Sequence, residues 1–312
     1  MATFEIHDIV QALHGVRDEW RDTQRRSREP VGREFPSREA LTHITEQLKG
    51  ALFPMRLGPL DLHHESEDFY VGHTLDTALH ALLAQARLEL AYVLRHTRPA
   101  DRAIAQQATH AVRCFAAALP GIRRLLDSDV LAAYQGDPAA RSVDEVLLCY
   151  PGILAMIHHR IAHTLYTLGL PLLARIVAEQ AHSVTGIDIH PGAQIGSGFF
   201  IDHGTGVVIG ETAEIGQRVR VYQAVTLGAK RFPTDAEGNL QKGLPRHPVV
   251  EDDVVIYAGA TILGRVTLGK GATIGGNVWI TESVPPGVSV TQAVLRHNSQ
   301  RAPASSALLP LS

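Results

Sequence analysis

Aliphatic residues recur every six positions through the second half of the chain. The main series is Val250, Ile256, Ile262, Leu268, Ile274 and Ile280. Four positions after each of these stands a second small or branched residue: Val254, Ala260, Val266, Ala272, Val278 and Val284. A period of six is neither the 3.6 of a helix nor the strict alternation of a half-buried strand. It is typical of short β segments joined by tight corners where glycine relieves the bend.

The same period appears earlier and then changes phase. Its first series is Ile189, Ile195, Ile201 and Val207, and it resumes two residues out of phase at Ile209, Ile215, Val221 and Leu227. The pattern predicts a parallel β-helix with three rungs to a coil, or about eighteen residues per turn. A globular α/β domain with chance spacing is the alternative, and six consecutive matches in the main series argue against it.

Helical spacing dominates the chain before Gly186. The predicted helices are Phe4 to about Arg26, Ser37 to Leu52, about His73 to Arg95, Ala100 to Leu119, a segment that Pro151 interrupts, and Pro171 to Ala181. Ser142 and Glu145 have the spacing of a capping box at the start of the interrupted segment. We therefore predict an α+β chain with an α-helical domain over 1–184, a β-helix domain over 185–288 and a tail over 289–312.

One segment breaks the rhythm of the coils. From Ala229 to Pro248 the chain is charged and contains two glycines and three prolines, a composition typical of a loop. Loops extruded from a regular scaffold commonly carry function.

Charge and composition narrow the class of partner. A formal charge of −3 gives no reason to expect nucleic acid or an anionic membrane surface as the partner. A small molecule is the expected partner. Two cysteines support no disulfide framework and suit a cytoplasmic location. The first ten residues do not have the form of a secretory signal, and no apolar run is long enough to predict a membrane span.

Polar side chains cluster in the coils where a scaffold alone would not need them. They are Asp188, His190, Asp202, His203, Glu211, Arg246 and His247. Histidine is the side chain that exchanges protons near neutral pH, so His203 in its glycine-rich turn is the best candidate for a general base. Asp188, fifteen residues earlier and roughly one coil away, could orient it. A structural histidine hydrogen-bonded at a corner remains the alternative.

Two other clusters are weaker candidates. The histidines of the helical half, His63, His64, His73, His80 and His96, lack a tight pair on one helix face and an accompanying cysteine, so no metal site is expected. Arg25, Arg26 and Arg28 beside Glu29 are expected to form a solvated face rather than an anion site.

Three motifs together resemble a known enzyme family. They are Asp188-Ile-His-Pro-Gly-Ala-Gln-Ile-Gly-Ser-Gly, then Ile201-Asp-His-Gly-Thr-Gly-Val-Val-Ile-Gly-Glu-Thr, and Arg246-His-Pro. They are similar to the signature of bacterial serine acetyltransferases, of the hexapeptide-repeat acyltransferase superfamily, and the resemblance is strong from about 135 to 287. It implies a left-handed β-helix and transfer of acetyl from acetyl-CoA to the hydroxyl of L-serine, giving O-acetyl-L-serine and CoA in cysteine biosynthesis.

The resemblance also implies roles for single residues. His203 matches the general base and Asp188 its orienting partner. Asp137 and Asp202 match the carboxylates that hold the serine ammonium, while Arg246 and His247 match the groups around its carboxylate and side chain. The expected contacts of acetyl-CoA are Gly228, Ala229, Ala258, Thr273 and Gly276. A homotrimer or a dimer of trimers with sites between subunits is implied, as is feedback inhibition by L-cysteine.

The chain departs from the family pattern at three places. The loop after Leu227 lacks a Gly-Gly-Thr-Gly run, and Ser289 to Val294 replaces a Gly-Val-Pro-Ala-Arg segment associated with the nucleotide end of CoA. The chain ends Leu308-Leu-Pro-Leu-Ser312 rather than in isoleucine, so a complex with the sulfhydrylase is not implied.

Other functions remain open from the sequence. A related acyltransferase could modify a sugar or another amine, although the carboxylates and Arg246 favour an amino acid. A metal-dependent hydratase would need His190, His203 and His247 to converge on one ion. A scaffold without catalysis would not need the polar clusters.

Overall fold

The computed structural model describes residue 4 and residues 6–24, 35–95 and 100–292. It divides the chain into two compact units, one ending at Phe35 and one beginning at Pro36. Within the first unit, helix α1 covers Ile6–Thr23, slightly less than the predicted segment. Five residues singled out above lie outside the described residues, as does the segment 293–312: Arg25, Arg26, Arg28, Glu29 and His96. No described helix combines the length and the apolar character that crossing a membrane requires.

The second unit begins with a bundle of helices. They are α2 (Arg38–Leu52), α3 (Pro54–Leu57), α4 (Glu67–Leu94), α5 (Asp101–Gly136), α6 (Val143–Cys149), α7 (Pro151–Thr167) and α8 (Pro171–Thr185), with a short 3-10 turn at His64–Ser66. Side-chain oxygens cap two helix starts, because Ser37 accepts from the Ala40 N–H and Ser142 from the Glu145 N–H. The helix before Pro54 ends at Leu52 and Pro151 interrupts the helical segment, as predicted, and each proline also occupies the first turn of a new helix.

Helix α5 runs past its predicted end at Leu119. Proline inside a helix costs about 3 kcal/mol, which is why Pro120 predicts a stop. The turns after Pro120 nevertheless bury Ile122, Leu126 and Val130. Since each fully buried aliphatic side chain contributes about 1.5–3 kcal/mol, this packing outweighs the cost of the proline.

The coils begin after Gly186, which ends α8 in the left-handed conformation (φ 69°). Their strands are β1 (Asp188–Ile189), β2 (Gln194–Ile195), β3 (Phe200–Ile201), β4 (Val208–Ile209), β5 (Glu214–Ile215), β6 (Arg220–Val221), β7 (Thr226–Gly228), β8 (Val249–Val250), β9 (Val255–Ile256), β10 (Thr261–Leu263), β11 (Thr267–Leu268), β12 (Thr273–Ile274), β13 (Trp279–Ile280) and β14 (Ser289–Val290). The change from helices to strands falls where the sequence period changes, and the division into domains at about residue 184 stays a prediction.

All the strand pairs are parallel and form three faces of a prism. Face one is β1-β4-β7-β10-β13, face two is β11-β8-β5-β2, and face three is β14-β12-β9-β6-β3. The residues of the main six-residue series are buried in the interior, and so are the small residues that follow them. We call the turns between faces one and two the first corner, and those between faces three and one the third corner.

The coils differ in length. Asp188 pairs with Val208, so the first coil has 20 residues, whereas Thr261 pairs with Trp279, a coil of 18. The two additional residues lie in the turn between β3 and β4, at the third corner. The loop 229–248 leaves the first corner between β7 and β8.

Val207 does not occupy the position that the sequence pattern suggests. It precedes Ile209 by two residues, as Val254 precedes Ile256, and is fully buried in the second, small position of its rung. The phase shift therefore lies within residues 202–206, before Val207 rather than after it.

The ladder also continues past residue 288, the predicted end of the β-helix domain. Ser289 in β14 pairs with Thr273 in β12, and Val290 is buried. The ladder tolerates Pro285 and Pro286 because they occupy a turn, where a backbone N–H is not required.

A buried ion pair joins the helices to the first coil. Asp129 of α5 accepts two hydrogen bonds from the guanidinium of Arg160 in α7, at 3.1 and 3.0 Å. The same guanidinium donates to the backbone carbonyls of Ile195 and Gly196, and the N–H of Phe199 donates to Asp129. Burial raises the pKa of Asp129 to about 6, against the opposing effect of Arg160. This network fixes the first coil against the helices.

Candidate active site

The third corner presents His203 on the additional two-residue turn. His203 has a φ of 59°, in the left-handed region that few non-glycine residues adopt, and Gly204 has a φ of 93°. A Cβ on Gly204 would lie 2.5 Å from Cδ1 of Ile187, so glycine is required there. The His203 side chain is 70% exposed, and its Nδ1 lies 3.6 Å from Oδ1 of Asp202. The exposed imidazole of His203 is thus held out from the prism by a constrained backbone.

Asp202 is held in place by Arg220, which lies on the next coil along the chain. Its Oδ2 accepts a hydrogen bond from Nη2 of Arg220 at 2.7 Å, and only 7% of the residue is exposed. The guanidinium lies over the rings of Phe200 and Tyr222, with its carbon 4.9 and 4.7 Å from their centroids. One carboxylate oxygen is therefore engaged, and the other faces His203.

Asp137 is directed toward the same corner from the end of α5. Its carboxylate accepts from the Tyr150 hydroxyl at 2.6 Å and from the Ala139 N–H at 2.8 Å. These two hydrogen bonds are the main reasons why the pKa of Asp137 is lowered, and the charges of Arg220 and His203 contribute less. The bond to Asp137 raises the pKa of Tyr150 to about 12. Asp137, Asp202 and His203 thus form one group.

Asp188 lies at the start of β1 and makes no hydrogen bond to His203. Ligand atoms of Asp188, Glu179 and His182 lie within 4.8 Å of one another. The predicted distance of one coil assumed eighteen residues, whereas the first coil has 20 because of the turn that carries His203. The two additional residues of that turn change the register between Asp188 and His203 from the one that the sequence period assumes.

The first corner holds Arg246 in a defined position. Its Nη2 donates to Oε2 of Glu211 at 2.7 Å, and the Tyr166 hydroxyl donates to Oε1 of Glu211 at 3.0 Å. Burial acts to raise the pKa of Glu211, but the hydrogen bonds from Arg246 and Tyr166 lower it overall. Glu211 therefore stays ionised and anchors the guanidinium.

His247 is held at the same corner as a neutral donor. Its Nδ1 accepts from the backbone N–H of Thr212 at 3.0 Å, so in the neutral ring the proton lies on Nε2. Burial, helped by the charge of Arg246, lowers the pKa of His247 to about 4. A Cβ on Gly210 would lie 2.0 Å from Cδ2 of this ring, so glycine makes room for it. The geometry suits His247 for donating a hydrogen bond rather than for accepting a proton.

The residues expected to contact acetyl-CoA lie along the coils. They are Gly228, Ala229, Ala258, Thr273 and Gly276. Gly228 ends β7 and Ala229 opens the loop at the first corner, while Ala258 and Gly276 lie on successive coils at the third corner. The Ala258 carbonyl accepts from the Asn277 N–H, and the Gly228 carbonyl from the Gly264 N–H. Thr273 begins β12 on face three.

One chain therefore brings the predicted site residues together in two groups. Asp137, Asp202 and His203 meet at the third corner, and Arg246 and His247 meet at the first corner. The hydratase arrangement is absent from the described chain, because His203 is at a different corner from His190 and His247.

Sequence reasoning missed the residues that position these groups. Arg220 and Tyr150 hold Asp202 and Asp137, and Thr212 holds the backbone and ring of His247. Of these three residues, only Arg220 could have been found from the sequence. It is a charged residue on a rung, with aromatic residues one coil earlier, at Phe200, and two positions later, at Tyr222. The sequence marks Glu211 as polar, but only the structure shows it as the partner of Arg246.

In the described part of the chain, one group of three possible metal ligands is found, formed by Glu179, His182 and Asp188. Arg175 makes an ion pair with Glu179 at 2.6 Å, and Nδ1 of His182 lies 3.2 Å from the same carboxylate. Two members of the group are therefore already in contact with each other, and Glu179 is engaged by an arginine. Of the described residues, His63, His64, His73 and His80 do not gather into such a group.

Comparison with known proteins agrees with this architecture. A family model described as bacterial transferase hexapeptide (six repeats) matches residues 247–282. The chain is 60% identical over 268 residues to a serine acetyltransferase encoded on a plasmid of Synechococcus elongatus, covering 85% of this chain and 84% of that protein.

Solved structures are similar over most of the chain as well. Isoform 3 of serine acetyltransferase from Entamoeba histolytica, in complex with cysteine, is 35% identical with a TM-score of 0.66, covering 86% of this chain and 84% of that one. The soybean enzyme complexed with serine is 32% identical with a TM-score of 0.51, covering 81% and 96%. The helical region followed by a left-handed parallel β-helix is thus shared, and the chain belongs to the serine acetyltransferase family.

Proposed function

We propose that this chain transfers the acetyl group of acetyl-CoA to the hydroxyl of L-serine, producing O-acetyl-L-serine and CoA for cysteine synthesis. The observation that carries the proposal is the group at the third corner, where the exposed imidazole of His203 lies near the fixed carboxylates of Asp202 and Asp137. A base beside an ammonium-binding site is what the acetylation of an amino-acid hydroxyl requires.

His203 acts as the general base. It removes the proton from the serine hydroxyl as that oxygen attacks the thioester carbonyl, and the imidazolium then returns the proton to the departing CoA sulfur. Asp188 is the proposed orienting carboxylate, and the exposed His203 side chain leaves its ring accessible to the substrate.

The substrate ammonium and carboxylate are held by opposite charges. Asp137 and Asp202 supply two carboxylates next to the base and bind the ammonium. Arg246 supplies a guanidinium that matches a carboxylate bidentately. His247 donates from Nε2 to the same end of serine, which its neutral state at physiological pH supports.

Acetyl-CoA lies along the coils in this proposal. Backbone groups near Gly228, Ala229, Ala258, Thr273 and Gly276 bind the pantetheine arm. No helix amino terminus is needed for this contact, because edge carbonyls and N–H groups of the coils can pair with its two amides.

A complete site requires more than one chain. Arg246 and His247 lie at a different corner from His203, so a neighbouring subunit must supply one of the two groups. A homotrimer, or a dimer of trimers, places the first corner of one prism against the third corner of the next and repeats this around a ring.

L-Cysteine is the proposed feedback inhibitor, because it differs from serine only in having sulfur in place of oxygen. Its ammonium and carboxylate can therefore bind to the same charged side chains. The cysteine complex of the Entamoeba histolytica relative supports this proposal. Cys114 and Cys149 are both free, which suits the proposed cytoplasmic location.

Thiol release from acetyl-CoA tests the function directly. We expect rapid release with L-serine, competition by L-cysteine against serine, and little release with a panel of sugars and other amines. If thiol release is faster with a sugar or a different amine, that compound rather than serine is the acceptor. Release that does not depend on any acceptor would contradict the proposal.

A further inference from the structure

A cavity of about 640 Å³ lies between the loop 229–248 and the coils at the first corner. This volume falls within the range of pockets that hold small ligands. Arg246 is one of its lining residues, and the loop that forms its other wall begins directly after Gly228. The cavity thus adjoins both Arg246, which is proposed to bind the serine carboxylate, and the proposed path of acetyl-CoA.

Three cations in the cavity have no acidic partner. Lys230, Arg231 and Lys242 line it, and no described carboxylate lies within ion-pair distance of any of them. Lys49 and Lys270, the other lysines of the chain, both have carboxylate partners. Unneutralised charges concentrated in one concave site favour a polyanion.

The same cavity has an apolar wall. Phe232, Leu240 and Leu244 line it, and all three are exposed in the chain by itself. A purely ionic ligand such as free phosphate would leave this wall in water. A ligand that has a flat ring as well as phosphates would cover the wall and also neutralise the cations.

The loop presents these groups from a formed hairpin. Thr234 and Leu240 make an antiparallel bridge, and Oδ1 of Asp235 accepts from the N–H groups of Glu237 and Asn239. Gly238 has a φ of 83° at the tip. The hairpin places Lys230 and Arg231 on one limb and Lys242 on the other, on two sides of one ligand.

We propose that this hairpin binds the phosphorylated adenosine end of acetyl-CoA, with the three cations on its phosphates and Phe232 against its base. The inference rests on the proposed function and adds the residues that select the full co-substrate. It also accounts for the segment Ser289 to Val294, which contains no cation. The hairpin replaces it as the phosphate contact.

A donor without the nucleotide tests the assignment. The variant that combines Lys230→Ala, Arg231→Ala and Lys242→Ala is compared with wild type using acetyl-CoA and S-acetylpantetheine, with serine saturating. We expect kcat/KM for acetyl-CoA to fall roughly 10- to 100-fold, mainly through KM, as loss of charge-assisted contacts predicts. The kcat/KM for S-acetylpantetheine should not change. Lys270→Ala, which removes a paired lysine from the coils, is the matched control and should behave as wild type.

Two results would overturn the inference. One is a triple variant with wild-type kcat/KM for acetyl-CoA, and the other is an equal loss with both donors. If the wild type acetylates serine from neither donor, the proposed function fails instead. Calorimetric titration with CoA then still decides about the hairpin, because the triple variant must bind CoA more weakly than wild type and Lys270→Ala must not.

Discussion

His203 and His247 have the same side chain in opposite surroundings, and the surroundings separate their roles. His203 projects from a turn, with one carboxylate 3.6 Å from its Nδ1. His247 is only 6% exposed, and its Nδ1 is already engaged by Thr212. A base needs a free lone pair that the substrate can approach. His203 satisfies this requirement and His247 does not.

Replacing His203 by alanine should therefore remove the base and leave the fold intact. We expect the turnover number to fall roughly 10²- to 10⁴-fold, the usual contribution of a positioned general base. Asp188→Asn should reduce the turnover number less, whereas Asp202→Asn should chiefly raise KM for serine because it removes binding energy. Steady-state kinetics and circular dichroism check these outcomes. Near-normal turnover by a folded His203→Ala protein would contradict the assignment.

His247 gives a prediction about pH. Burial lowers its pKa from an ordinary value of 6.5 to about 4. Between these values the unfolded chain binds a proton that the folded chain does not, so acidification from pH 6.5 toward 4 costs stability. His247→Gln lacks this titration, and its deficit in melting temperature relative to wild type should shrink between pH 7 and pH 4.5. A deficit that stays constant in thermal melts across this range would contradict the shifted pKa.

At the scale of the element, the sequence predicted the rungs more reliably than the helices. A rung is defined by a buried residue such as Ile262 that repeats, and repetition can be read without knowing the partners. The end of α5 could not be read in this way, because the packing of Leu126 and Val130 overrides Pro120. The place of Val207 in its rung likewise depended on a turn whose length only the structure gives.

The junction between helices and coils gives a prediction at this scale. At pH 7.5, above the pKa of about 6, Asp129 is ionised against Arg160. Asp129→Asn leaves the buried guanidinium uncompensated and should cost about 3–5 kcal/mol of unfolding free energy in urea titrations. Asp127→Asn on the same helix breaks only an exposed pair with Arg123 and should cost at most about 1 kcal/mol. Equal effects of the two variants would show that the buried pair does not hold the junction.

At the scale of the whole molecule, the sequence named candidate residues but not their grouping. The motifs around His203 and Arg246 are separated by the loop, and nothing in their spacing shows that they lie at different corners. The positioning roles of three residues could not be predicted from the sequence, because they depend on contacts with other segments of the chain. These residues are Arg220, Tyr150 and Thr212.

This separation predicts that two inactive variants restore each other. His203→Ala and His247→Ala subunits that are unfolded and refolded together should form mixed rings in which some sites combine an intact His203 with an intact His247. For random mixing at equal ratio we expect about a quarter of wild-type activity, since each site draws on two neighbouring chains. Each variant refolded alone is the control. Activity of the mixture that does not exceed the mean of the two controls would place both histidines in a site within one chain.

The two places where a coil is longer than eighteen residues coincide with the proposed site. The two-residue excess of the first coil displays His203, and the coil from Thr226 to Thr261 is 35 residues long because it contains the hairpin that leads to Arg246. Corners can grow in this way because the inward residues on either side, such as Ile201 and Ile209, keep their places in the stack. In any chain of this kind, the number of residues between equivalent inward positions can be counted from the sequence alone. The coils that exceed eighteen residues are then the first places to look for the active site.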